Sequence, residues 1–332
     1  MNNEEVRPTA NLIISTCSAY DYLNHSNPNL EKLTTQYYET FSITDRFTGY
    51  FSNITIGDFY NTLSTDLYDS TAILGGLNAT ARKNQEKNSS QSSSSRGSSS
   101  GSESSGGESS SQTINPPDTD KTSKISEIIT NPEQLTAGTS SIIGDRGTEN
   151  FGIAIFKDDK ICGKLTATET ICHLLINNKI DSCIISIDNP LNKDKQSKNS
   201  EVSEKMELQL FPRKNSKISL NIINDKPIVD IKLFINAEIM TLIKDTNYET
   251  NEALSRISDS AKKYLEEQFN DYLRKVAQDL NVDIDQFSIK APAHFATISD
   301  FEKFNWPEKY KNTEFKVDID VNVISSMLLT KT

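Results

Sequence analysis

Two hydrophobic periods alternate along residues 150–332, and each change of period marks an element. Gly152 to Phe156 is a β-rich run, Asp158-Asp159 make a turn, and Ile161 to Leu165 return as a second strand. Thr166-Ala167-Thr168-Glu169 then fits a capping box, in which the Thr166 hydroxyl bonds the Glu169 amide and Glu169 bonds back. It opens a helix carrying Ile171, Leu174 and Leu175 to about Asn177. Period-two alternation predicts strands over Ser182 to Ile187, Glu207 to Pro212, Lys217 to Asn224 and Ile228 to Ile243, with Lys193 to Lys205 a polar loop between them. Consecutive strands with short turns imply an antiparallel or mixed sheet with one buried face.

The strongest periodic signal runs from Glu252 to Leu280. Leu254, Ile257, Ala261, Leu265, Phe269, Tyr272 (or Leu273), Val276 and Leu280 recur at three- and four-residue steps, and the stretch holds no Gly or Pro. One apolar stripe of that kind packs a helix across a sheet, and Lys262, Lys263, Glu266, Glu267, Arg274 and Lys275 fall on the opposite face. An aromatic segment follows, with Phe287, Phe295, Phe301, Phe304, Trp306 and Tyr310. Phe315 to Val323 then alternates as a last strand.

Ahead of residue 150 the pattern is patchier. Ala10 to Thr16 reads as a short strand and Tyr20 to Leu23 as a brief helix ending near Pro28. Leu30 to Phe41 and Ile56 to Leu67 carry helical spacing. Ser89 to Ser111 is almost all Ser with Gly and Glu. That composition buries too little apolar surface to offset the entropy of ordering it. With its polar flanks the tract forms a linker over residues 84–124, spanning about 35 Å as a flexible chain. The expected organisation is therefore a partial N-terminal α/β region over 1–83, the Ser-rich linker over 84–124, and a C-terminal domain over 125–332 with its core at 150–330. The expected class is α+β, an antiparallel or mixed sheet packed by a long amphipathic helix.

Composition narrows the function. A net charge of −11 with a pI near 4.9, and Lys and Arg interspersed with acids, exclude the concentrated basic patch that nucleic acid requires. No apolar run reaches the roughly 18–20 residues that cross a bilayer. The opening Met1-Asn2-Asn3-Glu4-Glu5 is acidic where a signal peptide is basic. Leu12 to Cys17 loosely imitates the end of a lipoprotein signal, but the run is too short and follows Pro8, so a strand and turn is expected there. Cys162, Cys172 and Cys183 sit in apolar segments, where free thiols behave as small buried hydrophobes.

Motifs for chemistry are sparse. GxxxxGK[ST], GxGxxG, GxSxG and HExxH are all missing from the sequence. His25, His173 and His294 are scattered, and His173 has no His or Cys three or four residues away. Asp318 and Asp320 share one face of an alternating strand, the usual place for solvated acids. Asp279, Asp283 and Asp285 cluster after the long helix, at a spacing that does not fit an EF-hand loop. The segment around His294 and Trp306 reads as a flap closing one end of the sheet, or as the wall of a pocket. No catalytic, cofactor-binding or metal-binding set is assigned.

The order Phe151-Gly152-Ile153-Ala154-Ile155-Phe156-Lys157-Asp158-Asp159-Lys160, then Gly163-Lys164-Leu165 and Glu169, resembles the opening of the C-terminal domain of Ger(x)C-type spore germination proteins. The resemblance continues through Ile235-Asn236-Ala237-Glu238, the long helix, Asp285-Gln286-Phe287, His294, Asp300-Phe301, Trp306 and the closing strand. It covers about residues 150–330. Residues 1–83 look like a weaker match to the later part of the family's N-terminal region.

Such a resemblance implies a lipoprotein subunit of a nutrient germinant receptor, on the outer face of the spore inner membrane beside multi-pass subunits. It implies no enzymatic activity and no cofactor. The family pattern also includes a signal peptide, a lipid-attachment cysteine and an earlier part of the N-terminal domain, none of which is visible here. On that reading the chain is a truncated product or fragment whose residues 1–83 lack sheet partners.

Three functions follow as expectations. The first is a non-enzymatic germinant-receptor subunit that docks on membrane subunits. The second is an extracytoplasmic small-molecule binding module built on the segment near His294 and Trp306. The third is a hydrolase using Asp318, Asp320 or His294.

Overall fold

The structure, a computed structural model, describes residues 7–26, 44–65, 67–78, 81, 135–139, 147–191, 205–240, 248 and 250–324. The expected helix at Leu30 to Phe41 and the linker at 84–124 lie outside the described residues.

Among the described residues, two four-stranded sheets carry the fold. The first has the order β1 (Ile13–Ser15), β2 (Thr71–Leu77), β3 (Thr148–Lys157) and β4 (Lys160–Leu165). β1 and β2 are parallel, and the remaining neighbours are antiparallel. The second has the order β5 (Cys183–Asp188), β6 (Lys205–Ile223), β7 (Lys226–Ile239) and β8 (Glu314–Ile324). There only β7 and β8 are parallel. The class is α+β with mixed sheets, as the sequence indicates.

β2 is not among the strands expected from periodicity. Thr-Ala-Ile-Leu-Gly-Gly-Leu is buried at every position, so it shows no alternation, and its paired glycines imitate a turn. It pairs with β1 on one side and β3 on the other, which corrects the expectation of missing sheet partners as far as β2 is concerned. Helix α1 (Ala19–Asn24) adds a buried anchor, since the Tyr22 hydroxyl donates to Asn150 Oδ1 at 2.8 Å. Helix α2 (Ile56–Leu63) ends four residues before the predicted Leu67. Its last turns hold Thr62 and Ser64, whose hydroxyls bond the Asp58 and Asn61 carbonyls and compete with helical continuation.

At the start of the second half, Gly152 has φ +84°, and a Cβ there would stand 2.1 Å from the Leu165 carbonyl oxygen. Only glycine fits that close approach. Asp158 makes the β3–β4 turn at φ +54°. The capping box forms as expected at the start of α3 (Ala167–Ile176), and Glu169 also pairs with Lys275 at 2.7 Å.

The two strands expected at Glu207–Pro212 and Lys217–Asn224 are one, β6. Pro212 does not break it because β5 pairing ends at Leu210 and the register shifts between Pro212 and Lys217, leaving no ladder bond for the missing N–H to make. Asn224 and Asp225, with φ of 51° and 61°, close the β6–β7 hairpin in the left-handed conformation such two-residue loops prefer.

Helix α4 (Asn251–Arg274) turns Ala253, Ile257, Ala261, Leu265, Phe269 and Leu273 inward, packing chiefly along β8 and also touching β5 and α3, and these residues share one core with Val229, Ile231, Leu233 and Ile235 of β7 and Ile319 and Val321 of β8. The predicted stripe continues, but over Lys275–Asp279 the chain widens into a π turn that buries both Val276 and Ala277. Beyond it the chain forms a 3-10 segment (Phe287–His294), α5 (Ile298–Phe304) and α6 (Trp306–Tyr310), then β8. Cys172 and Cys183 are buried, and burial pushes the Cys183 thiol up to about 12. Cys162 is exposed, correcting the expectation of burial: β4 is an edge strand, and this position faces outward.

Candidate functional site

The turn after α4 reads Asn281-Val282-Asp283-Ile284-Asp285, and both acids are buried. A buried carboxylate demands donors, and each acid finds its own set.

Asp285 Oδ1 lies 2.8 Å from His173 Nδ1 and 2.9 Å from the Asn177 amide nitrogen, and its Oδ2 accepts from the Tyr272 hydroxyl at 2.8 Å. Both side chains of the His173–Asp285 pair are almost wholly inaccessible. Burial, with Asp285 alongside, holds the Tyr272 phenol well above its usual range. His173 is therefore a satisfied core histidine that ties α3 to α4 and to the turn beyond.

Asp283 caps the 3-10 segment. Its Oδ1 accepts from the Phe287 amide at 3.0 Å, and its Oδ2 from the Ser288 amide at 2.7 Å and the Trp306 indole nitrogen at 3.2 Å. Its own backbone meets Asp69: the Asp283 amide donates to Asp69 Oδ2 at 2.8 Å and the Asp69 amide donates to the Asp283 carbonyl at 3.1 Å. Burial pushes Asp283 up to about 7, against the opposing pull of the Ser288 and Phe287 amides. Burial raises Asp69 as well.

These groups border a cleft of about 520 Å³. Its walls come from the α2–β2 connection (Leu67, Tyr68, Asp69, Ser70), the β3–β4 turn (Lys157, Asp158, Asp159), the acidic turn (Asn281, Asp283) and α6 (Trp306, Pro307, Tyr310). Residues far apart in sequence thus share one surface. The Lys157 ammonium is held by the Asn281 carbonyl at 3.0 Å.

Of the residues singled out from sequence, Trp306 lines this cleft and is buried, while His294 is exposed and does not border it. Asp318 and Asp320 point to solvent, Asp318 beside Lys232 at 3.3 Å and Asp320 beside Arg213. The hydrolase reading is corrected accordingly: these three residues form no common cleft. Asp69, Ser70 and Lys157 were not singled out by sequence reasoning. The available signal was Val282-Asp283-Ile284-Asp285, where acids alternate with buried aliphatics and none of the four is exposed. Among the described residues, no three His, Cys, Asp or Glu side chains converge closely enough to hold a metal ion.

Residues 151–327 match the family described as Spore germination B3/GerAC like, C-terminal. The chain belongs to that family, one of germinant-receptor subunits and not a known enzyme family. The fold is similar to the crystal structure of the GerBC protein, with a TM-score of 0.56 at 15% sequence identity, over 96% of this chain and 70% of that one. No curated protein gives a significant match.

Proposed function

We propose that this chain is a non-enzymatic subunit of a nutrient germinant receptor and acts by docking on the multi-pass membrane subunits of that receptor at the outer face of the spore inner membrane. The observation that carries this reading is the family match over residues 151–327, which includes Asp283, Asp285, α4 and all of the second sheet. The buried polar groups support it too. Asp285 and Asp283 spend their lone pairs on His173, Tyr272, Trp306 and backbone amides, which suits a rigid docking platform. Among the described residues no helix is long and apolar enough to cross a membrane.

Deleting the gene in the spore-forming host tests the reading. Nutrient-triggered germination should be slowed or abolished and restored by complementation. Undiminished nutrient germination under every nutrient tried would refute it.

A further inference from the structure

The described residues ahead of position 82 meet the family-matched half along three separate lines. The first is the β2–β3 ladder, which runs from Thr71 opposite Ile155 to Leu77 opposite Thr148 and is extended by the Phe156 amide on the Ser70 carbonyl at 2.9 Å. Ile73 and Leu74 of β2 are buried on its opposite faces. The second is the exchange of backbone and carboxylate bonds between Asp69 and Asp283. The third is the turn from Arg46 to Tyr50. There the Arg46 carbonyl accepts from the Asp181 and Ser182 amides at 2.7 and 3.1 Å. Gly49, at φ +70°, lets this turn close on the family-matched half, since a Cβ would stand 2.6 Å from Ile180 Cδ1 and 2.9 Å from Ile171 Cγ1.

None of these bonds involves residues 82–134. The chain leaves the first sheet beside the point where it returns. Leu77 ends β2 opposite Thr148, the first residue of β3, and the Asn78 amide donates to the Gly147 carbonyl at 2.9 Å. Ala81 is buried. On the return side the Leu135 carbonyl accepts from the Ala167 amide at 2.9 Å, the Ala137 amide donates to the Phe151 carbonyl at 2.9 Å, and the Gly138 amide donates to the Glu149 carboxylate at 2.7 Å. Both ends of the Ser-rich stretch are thus anchored on one sheet, inside the connection from β2 to β3. Covalent continuity through such a stretch supplies an effective concentration of about a millimolar or less, a small contribution beside a strand ladder and a buried core.

From this placement we infer that the family-matched half carries a strand-accepting surface whose partner is the chain's own N-terminal segment, centred on β2, and that the segment stays docked when the 82–134 connection is cut. The surface consists of the β3 edge, the Ile171 and Ile180 side chains and the Asp283 turn. The partner it fits is a strand apolar on both faces, preceded by a carboxylate for the Asp283 amide and a carbonyl for the Asp181 and Ser182 amides. Without that strand β3 would lose its β2 ladder bonds, and Ile153 and Ile155, now fully buried, would be uncovered. Strand addition satisfies both needs. Endoproteolysis in the Ser-rich tract therefore leaves a two-piece protein with the whole fold. This inference does not depend on receptor docking, since it concerns the isolated chain.

The test uses the full chain with a specific protease site placed among residues 98–106, cut to completion after folding. Gel filtration at about 1 μM should return both pieces together at the volume of the uncut chain. Trp306, the sole tryptophan, bonds Asp283 and should keep its emission. The urea midpoint should depend on protein concentration after cutting and not before it, as mass action requires of a two-piece assembly. Asp69→Ala removes the acceptor of the Asp283 amide and should raise the dissociation constant of the cut pieces by about tenfold. If that variant does not fold, the cut parent chain still decides. Pieces that elute apart at about 1 μM, or a midpoint independent of concentration after cutting, overturn the inference.

Discussion

Asp69 and Asp283 grip each other across 214 positions of sequence, the Asp283 amide on the Asp69 carboxylate and the Asp69 amide on the Asp283 carbonyl. This exchange fastens the segment entering β2 to the turn that follows α4. It joins the region before residue 84 to the family-matched half, and it stands at the wall of the acidic cleft.

The burial of Asp283 makes stability depend on pH. Its folded pKa of about 7 lies above the unfolded value, so the folded state binds the extra proton. The resulting stabilisation is complete below the unfolded pKa near 4 and is lost as pH rises through about 7. For a shift of this size the linkage amounts to at most about 4 kcal/mol. Asp69 is also raised and adds to the same trend. Chemical denaturation of wild type and Asp283→Asn between pH 4 and 8 should show a shallower decline with pH in the variant. Parallel curves would refute the assignment.

Asp285 is the acceptor for Tyr272, His173 and the half-buried Asn177, and removing it takes the carboxylate partner from the buried Tyr272 and His173. Asp285→Ala should cost about 3–5 kcal/mol in urea denaturation. Tyr272→Phe should cost about 1–2 kcal/mol, and the double variant should cost less than the two summed, because both remove the same hydrogen bond. Strict additivity would show that the network is not a unit.

Gly152→Ala places a methyl against the Leu165 carbonyl at a backbone angle that L residues rarely adopt. A loss of more than about 1 kcal/mol is expected, read as a fall in the urea midpoint at constant slope. An unchanged midpoint would mean that the close approach of β3 to β4 is absent.

Phe269 is fully buried beneath the second sheet. Phe269→Ala should destabilise by about 3–5 kcal/mol, whereas Lys263→Ala on the solvent face of the same helix should change stability by no more than about 0.5 kcal/mol. Equal effects would contradict the orientation of α4.

Elements with a clear period were legible in the sequence. α4 declared itself through four-residue steps from Ile257 to Phe269, and β8 through its alternation. The Thr166–Glu169 capping box was legible residue by residue. β2 was hidden because a strand buried on both faces has no period, and Gly75-Gly76 imitates a turn. The continuity of β6 was hidden because Pro212 normally interrupts a strand and is tolerated here only beyond the end of β5. The cleft was least legible. Trp306 was noticed, but Asp69, Lys157 and Asp283 meet only through tertiary pairing, which leaves no local signature.

Docking of this chain on receptor subunits in the membrane is the step on which the proposed function rests. Crosslinking in intact spores, followed by purification of the chain under denaturing conditions and identification of attached proteins, tests it most directly. Multi-pass germinant-receptor subunits joined to residues of the family-matched domain, 151–327, should be recovered. Recovery of the chain free of those subunits, in spores where they are present and crosslink to one another, would contradict it.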